Sequence, residues 1–211
     1  MATPTRERDT VRTELIEAAI RLLADQGTEA LVLRRVASAA HVSTMCVYSR
    51  FGDKVGLINA VYTAGFERLA LALTTVEHPH DPLRRIMNLG LAYRRFAVAN
   101  PALYSLMFER VVGFDPPPQL RSEVLESTFS MVVDAVRQAR EEGTIEAESP
   151  LVATYTLWAA AHGAVSLELT NATQRPLSGW LFESRDNGEQ IFSQTILTTL
   201  RGLAPSGPAA A

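Results

Sequence analysis

Apolar residues recur at intervals of three and four along most of the chain, which is the spacing of one helix face. Val11, Leu15, Ala18 and Leu22 form the first such series, and Gly27 follows as a helix stop. They predict a first helix of about four turns. The same spacing predicts further helices over residues 32–40, 44–50, 54 to about 76, 82–99, a brief one through Tyr104 and Phe108, 120–142, 150 to about 171, and 189–203. The predicted fold class is therefore all-α.

Segments rich in helix-ending residues separate the predicted helices. Residues 77–81 interrupt the fourth helix, and residues 174–188 are predicted to form a loop. Three consecutive prolines at 116–118 forbid a helix, so residues 113–118 are predicted to form an exposed corner or loop. Residues 205–211, an Ala/Pro/Gly tail, are predicted to be disordered.

The composition agrees with packed helices and distributes charge unevenly. Hydrophobic residues make up 47% of the 211 residues and aromatic residues only 7%, which favours helices over a β-sandwich. The net charge is −3, with +1 on residues 1–54 and −4 on the remainder. Because no overall positive field exists, any contact with nucleic acid has to come from a local cluster of cations.

Cysteine content and hydropathy bear on cellular location. Cys46 is the only cysteine, so the chain cannot form an intrachain disulfide. We find neither a signal segment nor a run of about 18 apolar residues, and we expect a cytoplasmic protein without a membrane span. Cys46 itself is expected to be a small buried residue rather than a redox switch.

Residues 32–54, VLRRVASAAHVSTMCVYSRFGDK, predict two short helices joined by a tight turn, with Ser43 as N-cap of the second. Small polar residues at the start of that helix let its backbone approach base edges and phosphates in a DNA groove. The residues expected to pack inward are Val36, Ala37, Ala40, Val42 and Val47. Those expected to face outward are Arg34, Thr44, Met45, Tyr48, Ser49 and Arg50. Lys54, the chain's only lysine, begins the next helix, where a phosphate contact is expected.

This stretch resembles the DNA-binding head of the TetR family across about residues 9–64. The matching positions are Gly27, Ala30, Leu31, Arg34, Val36, Ala37, Val42, Ser43, Val47, Tyr48, Phe51, Lys54 and Leu57. Two positions differ, since Val32 stands where the family usually has a capping threonine and His41 where it usually has a turn glycine. Histidine is less favourable than glycine in a left-handed turn, and the His41 side chain is a further candidate for a phosphate contact.

The resemblance implies a division of roles within this stretch. Contacts with base edges are expected from Arg34, Thr44, Met45 and Ser49. Contacts with phosphates are expected from Ser43, Tyr48, Arg50 and Lys54. Two possibilities stay open for Met45, an apolar contact with a thymine methyl group or packing back onto the protein.

The resemblance also implies two domains. An N-terminal three-helix helix-turn-helix head, residues 1–54, precedes a larger C-terminal helical bundle for ligand binding and dimerisation, residues 55–204. Operator half-sites lie about 34 Å apart, so two heads are needed and a homodimer is expected, formed through the last two long helices. Residues 157–169, LWAAAHGAVSLEL, resemble the Trp-His-Gly, or WHG-type, subgroup. Within them, Gly163 in mid-helix suggests the close approach of another backbone.

A small, mostly apolar effector is the expected ligand of the bundle, because helical bundles commonly hold such ligands in their interior. The candidate ligand-binding residues are Tyr93, Phe96, Tyr104, Met107, Phe108, Phe129, Trp158 and His162. Aromatic stripes of this kind also build ordinary cores. His162 shares a helix face with Trp158, and it either lines a pocket or meets a carbonyl in a core or dimer contact.

We expect no enzyme, cofactor or metal. His78 and His80 flank a proline and lack a complementary Cys or His group, which favours a solvated loop. Neither a phosphate loop nor a Gly-x-Ser-x-Gly or His-Glu-x-x-His motif occurs. The predicted function is a homodimeric transcriptional repressor that binds an operator in double-stranded DNA and is released by the effector. The alternative is a helical interaction protein that acts through a protein partner, with residues 116–118 as its docking element.

Overall fold

The structure is a computed structural model that describes residues 4–109, 114–173 and 185–205. These residues form nine α-helices and a short 3-10 helix, Thr28–Ala30, with no strand among them. The helices are α1 (Pro4–Gln26), α2 (Leu33–Ala39), α3 (Thr44–Phe51), α4 (Lys54–Thr74), α5 (Pro82–Ala99), α6 (Pro101–Phe108), α7 (Pro118–Glu141), α8 (Pro150–Thr173) and α9 (Arg185–Gly202). The all-α prediction is confirmed. Among the described helices, none combines the length and the hydropathy that a membrane crossing requires.

The chain divides into two compact units. Unit 1 consists of Met1–Arg68 and Asn100–Leu125, and unit 2 of Leu69–Ala99 and Glu126–Ala211. The segment 1–54 expected to form the head lies within unit 1. These units follow packing, whereas the boundary after residue 54 concerns function and stays a prediction. From residue 206 onward, the tail predicted to be disordered lies outside the described residues.

Unit 1 is held together by apolar contacts of α1, α4 and α6. Leu15 and Leu23 of α1 are buried, and α1 ends where Gly27 adopts a positive φ of 73°. On α6, the ring of Phe108 lies 5.3 Å from that of Phe66 in α4. An ion pair between Arg68 and Glu17 adds a polar link between α4 and α1. This packing forms the surface against which α2 and α3 pack.

A buried ion pair joins three helices of unit 2. Arg94 of α5 donates two hydrogen bonds to Glu168 of α8, from Nε to Oε2 at 2.9 Å and from Nη2 to Oε1 at 2.6 Å. Its Nη1 reaches Glu189 of α9 at 3.2 Å. Arg94 and Glu168 are only 5% and 8% exposed. Next to them, a Cβ atom on Gly188 would collide with the Glu168 carboxylate, so glycine lets α9 approach α8 closely.

Two helix starts differ from the prediction. Residues 185–188 were predicted to belong to a loop but form the first turn of α9, because buried Gly188 packs against Glu168 and tertiary contact overrides local preference. Residues 174–184 of that loop lie outside the described residues. Similarly, Pro118 was predicted to be non-helical but begins α7. Proline is tolerated at the first helical position because the amide there has no partner within the helix and because the fixed φ of proline suits a helix. Residues 110–113 lie outside the described part.

The segment between α4 and α5 agrees with the prediction of a solvated loop. His78 and His80 are both exposed. Within the described ranges, no three His, Cys, Asp or Glu side chains come together in a way that could hold a metal ion. At the end of this segment, the Asp81 carboxylate accepts a hydrogen bond from the Leu83 amide at 2.9 Å and so caps α5.

Replacing Glu168 with leucine should destabilise the protein by about 3–5 kcal/mol, because it leaves the Arg94 guanidinium buried without its main partner. The double variant Arg94→Met/Glu168→Leu should recover most of that loss, since no charge then stays buried. Urea unfolding followed by circular dichroism measures both. Arg137→Ala, which removes an exposed ion pair with Asp134, is the control and should cost less than about 1 kcal/mol. Equal losses in the single and double variants would contradict this account.

Candidate functional site

The turn between α2 and α3 has a left-handed residue at its centre. His41 has a φ of 56°, the only positive φ of a non-glycine residue in the described part of the chain. The amides of His41 and Val42 donate to the carbonyls of Ser38 and Ala37 at 3.2 and 3.0 Å, which closes the end of α2. Histidine therefore takes up the conformation that the family usually assigns to glycine. At the other end of α2, Val32 is extended and provides no side-chain cap.

α3 starts at a side-chain cap and is anchored by its apolar face. The Ser43 hydroxyl accepts a hydrogen bond from the Cys46 amide at 3.2 Å, as the sequence predicts. Val47 and Phe51 are buried, and so are Val36 and Ala37 of α2. These contacts orient α3 with its opposite face toward solvent.

Most of the residues predicted to contact DNA are exposed, on α3 or on the helices next to it in sequence. Met45 is 74% exposed and Tyr48 is 49% exposed. The remaining exposed members are Arg34, Ser43, Ser49 and Lys54, whereas Thr44 and Arg50 are half-buried. Since Met45 projects into solvent, it does not pack back onto the protein.

Arg50 was predicted to face outward but turns back along α3. Its Nη1 donates to the Cys46 carbonyl at 3.0 Å and lies 2.9 Å from the Cys46 sulfur, while its Nε is buried. Ser49 donates to the same carbonyl at 3.0 Å. The Cys46 side chain, expected to be buried, is only half-buried, and its sulfur lies against Arg50. Sequence spacing indicates which side of a helix a residue occupies, but it cannot show that a long side chain folds back.

A second helix start lies beside the end of α3. Gly52 has a φ of 75°, a conformation that a residue with a Cβ atom rarely adopts, and it turns the chain sharply into α4. The Asp53 carboxylate then accepts a hydrogen bond from the Gly56 amide at 2.8 Å. Lys54 is exposed at the first position of α4. Because residues 1–54 carry a net charge of only +1, exposed cations such as Lys54 and Arg34 have to supply the positive charge locally.

A cavity of about 40 Å³ lies within unit 2. Three of the predicted ligand-binding residues line it, Tyr93 of α5, Phe129 of α7 and Trp158 of α8, together with Gly90, Ala161 and Ile196. The ring of Phe129 lies 5.4 Å from that of Trp158 and 6.4 Å from that of Tyr93. The wall of the cavity is therefore almost wholly apolar, with three aromatic side chains among mostly aliphatic ones.

His162 lies beside this cavity and supports its wall. Its Nδ1 is 3.1 Å from the Tyr93 hydroxyl, and its Nε2 is 3.5 Å from the Ser166 hydroxyl. The half-buried imidazole thus connects α5 with α8. His162 is not among the residues that line the cavity, so both possibilities that the sequence left open for it, a pocket residue or a partner of a carbonyl in a core or dimer contact, stay predictions.

The other four ligand candidates are not among the residues that line this cavity. Tyr104, Met107 and Phe108 belong to unit 1, where Tyr104 and Met107 are buried and the Tyr104 and Phe108 rings stack 4.9 Å apart. Met107 would also collide with a Cβ atom placed on Gly65 of α4. Phe96 is buried in unit 2. Aromatic spacing on a helix does not distinguish a cavity wall from a filled core.

Together, α2, its four-residue turn and α3 form a helix-turn-helix, in which a capped helix presents its outer face for the major groove of DNA. The comparisons with known proteins agree with this class. Residues 15–61 match the family model described as "Bacterial regulatory proteins, tetR family", and residues 86–183 match "Tetracyclin repressor-like, C-terminal domain". The chain belongs to the TetR family of transcription regulators and binds DNA through this helix-turn-helix. The Trp-His-Gly subgroup stays a prediction.

Similar proteins match this chain along most of their length. An HTH-type transcriptional regulator of Mycobacterium tuberculosis is 23% identical, and the match covers 77% of this chain and 82% of that protein. A solved structure of a protein of unknown function from Rhodococcus sp. RHA1 is 26% identical, with a TM-score of 0.74 and coverage of 92% and 96%. A TetR-family transcription regulator from Marinobacter aquaeolei VT8 is 18% identical, with a TM-score of 0.69 and coverage of 96% and 100%.

Proposed function

We propose that this regulator is a homodimeric repressor that binds a palindromic operator and leaves it when a small, mostly apolar effector enters unit 2. The observation that carries the proposal is the solvent-facing surface of α3, on a chain whose second unit holds an apolar cavity. On this proposal Arg34, Thr44, Met45 and Ser49 contact bases, while Ser43, Tyr48 and Lys54 contact phosphates. Arg50 instead hydrogen-bonds to the backbone of α3 and stabilises that helix. The protein would act in the cytoplasm, where its DNA is.

The homodimer is supported by an apolar ridge on α8. Leu151, Tyr155 and Leu167 are each more than half exposed, at 66%, 66% and 56%. Ala159 and Gly163 are exposed between them, so the five residues follow one another at intervals of four and form a ridge that runs obliquely around the helix. No atom lies within 4 Å of a Cβ placed on Gly163, so the close approach that this glycine suggests does not come from the described part of its own chain. A second copy crossing at the small residues would cover the middle of the ridge.

An effector is supported by the apolar composition of the cavity wall, although the cavity itself is small. A cavity of about 150 Å³ holds benzene, whereas this one measures about 40 Å³. A ligand of aromatic size would therefore have to move the wall, and the Tyr93–His162 hydrogen bond is the polar contact at that wall. Leu157 and Trp158 of α8 and Ile196 of α9 contribute to the same wall. A ligand that opens the cavity would thus displace the two helices proposed for the dimer contact.

Lys54→Ala should weaken binding to every duplex, and the slope of log affinity against log salt should fall by about 1, because one phosphate fewer is neutralised. Arg34→Ala should instead relax the sequence preference, because removing a hydrogen bond to a base costs about 1–3 kcal/mol at one position only. Fluorescence anisotropy with operator and random duplexes over a salt series measures both. Arg137→Ala removes the same charge outside the head and should change neither. Failure of the unaltered protein to bind any duplex at low salt would favour the protein-partner alternative.

Gly163→Leu should weaken the dimer by at least about tenfold, because a side chain at the crossing point separates the two helices. Sedimentation velocity over a range of protein concentrations measures the dissociation constant. Ser130→Leu places the same side chain on an exposed position of α7 and is the control, which should remain as dimeric as the unaltered protein. A monomer at micromolar concentration before any substitution would contradict the proposed assembly.

Gly90→Ala should reduce binding of toluene, chosen as a small apolar probe, because its methyl group would enter a wall only 3.4 Å from the Phe192 ring. The probe should raise the midpoint of thermal unfolding of the unaltered protein and raise that of the variant less. Gly202 does not line the cavity, so Gly202→Ala is the control and should show the same rise in midpoint as the unaltered protein.

If toluene releases DNA, the affinity of the protein for toluene must fall by the same factor when operator is present, which calorimetry can measure. Equal midpoint shifts in both variants would count against this cavity.

A further inference from the structure

The exposed surface of α3 is more apolar than a hydrogen-bonding surface for bases would be. Met45 and Tyr48 are three residues apart and therefore lie side by side on one helix face. At 74% exposure, Met45 is the most exposed of the large hydrophobic side chains in the described part of the chain. It is also the second residue of α3, in the part of a recognition helix that approaches base edges.

The polar neighbours of Met45 are partly occupied by the helix itself. The single donor proton of Ser49 is used by the Cys46 carbonyl, and Arg50 donates to the same carbonyl. Ser43 accepts from the Cys46 amide. A base contact from Ser49 as donor would have to break an existing hydrogen bond, whereas an apolar contact from Met45 breaks none.

We propose that Met45 is a specificity-determining residue that recognises the 5-methyl group of a thymine in the operator. This inference rests on the proposed operator binding. In the major groove, the methyl group is the apolar feature that distinguishes thymine from the other bases. Methionine suits it because the side chain is flexible, polarizable and able to follow the shape of an apolar neighbour. Burying one methyl group is worth about a fourfold change in affinity.

Replacing thymine with uracil provides the test, because uracil keeps every hydrogen-bonding group and lacks only the methyl. An operator is first selected from random duplexes with the unaltered protein, and each thymine is then replaced in turn, symmetrically in both half-sites. At one position the unaltered protein should lose about fourfold in affinity per half-site, or about fifteenfold for the symmetric pair. Met45→Ala should bind the thymine and uracil duplexes equally. Its fold should be intact, since the side chain makes little contact with the protein.

Val55→Ala is the matched control, because Val55 is a 50% exposed apolar residue near the start of α4. It should keep the full uracil penalty. A selected operator without any uracil penalty, or with the same penalty in Met45→Ala, would overturn the role of Met45 and leave operator binding intact. Absence of any preference over random duplex would overturn operator binding itself and the inference with it.

Discussion

α3 depends on the packing beneath it. The helix has eight residues, fewer than the roughly 12–15 that an isolated helix needs to be stable in water. Its conformation comes from the burial of Val47 and Phe51, and the Arg12 guanidinium of α1 lies 5.6 Å from the centre of the Phe51 ring. The direction in which Met45 and Tyr48 project is thus set by the opposite face of the same helix. A substitution that loosens the packing of Val47 or Phe51 would therefore weaken DNA binding, although it would not alter a residue that contacts DNA.

Local features of this region could be predicted from the sequence because they depend on neighbours within a few residues. A serine before a short helix caps it, so Ser43 bonds with Cys46 as expected. Val36, Ala37 and Val47 are buried because helical spacing places them on the inner faces of two adjoining helices. At His41, the resemblance to a family with glycine in the turn correctly indicated a left-handed residue.

Features that depend on distant residues could not be predicted. Arg94 and Glu168 are 74 positions apart, and neither differs in sequence from the solvated charges around it. Their pairing follows from the way α5, α8 and α9 meet, which also explains why α9 begins before the residues that local preference favours. For the same reason, helical spacing found aromatic residues in the bundle but could not separate Tyr93, Phe129 and Trp158 at the cavity from Tyr104 and Phe108 in a filled core.

The buried Arg94–Glu168 pair and the cavity of unit 2 are under opposite evolutionary constraints. Losing one partner of the pair is costly while replacing both together is tolerated, so this contact resists change by single mutations. Apolar residues of similar volume can replace one another at a cavity wall with little loss of stability. If the cavity binds an effector as proposed, descendants of this protein can therefore acquire responses to new molecules one substitution at a time, while the helices that carry the cavity keep their arrangement.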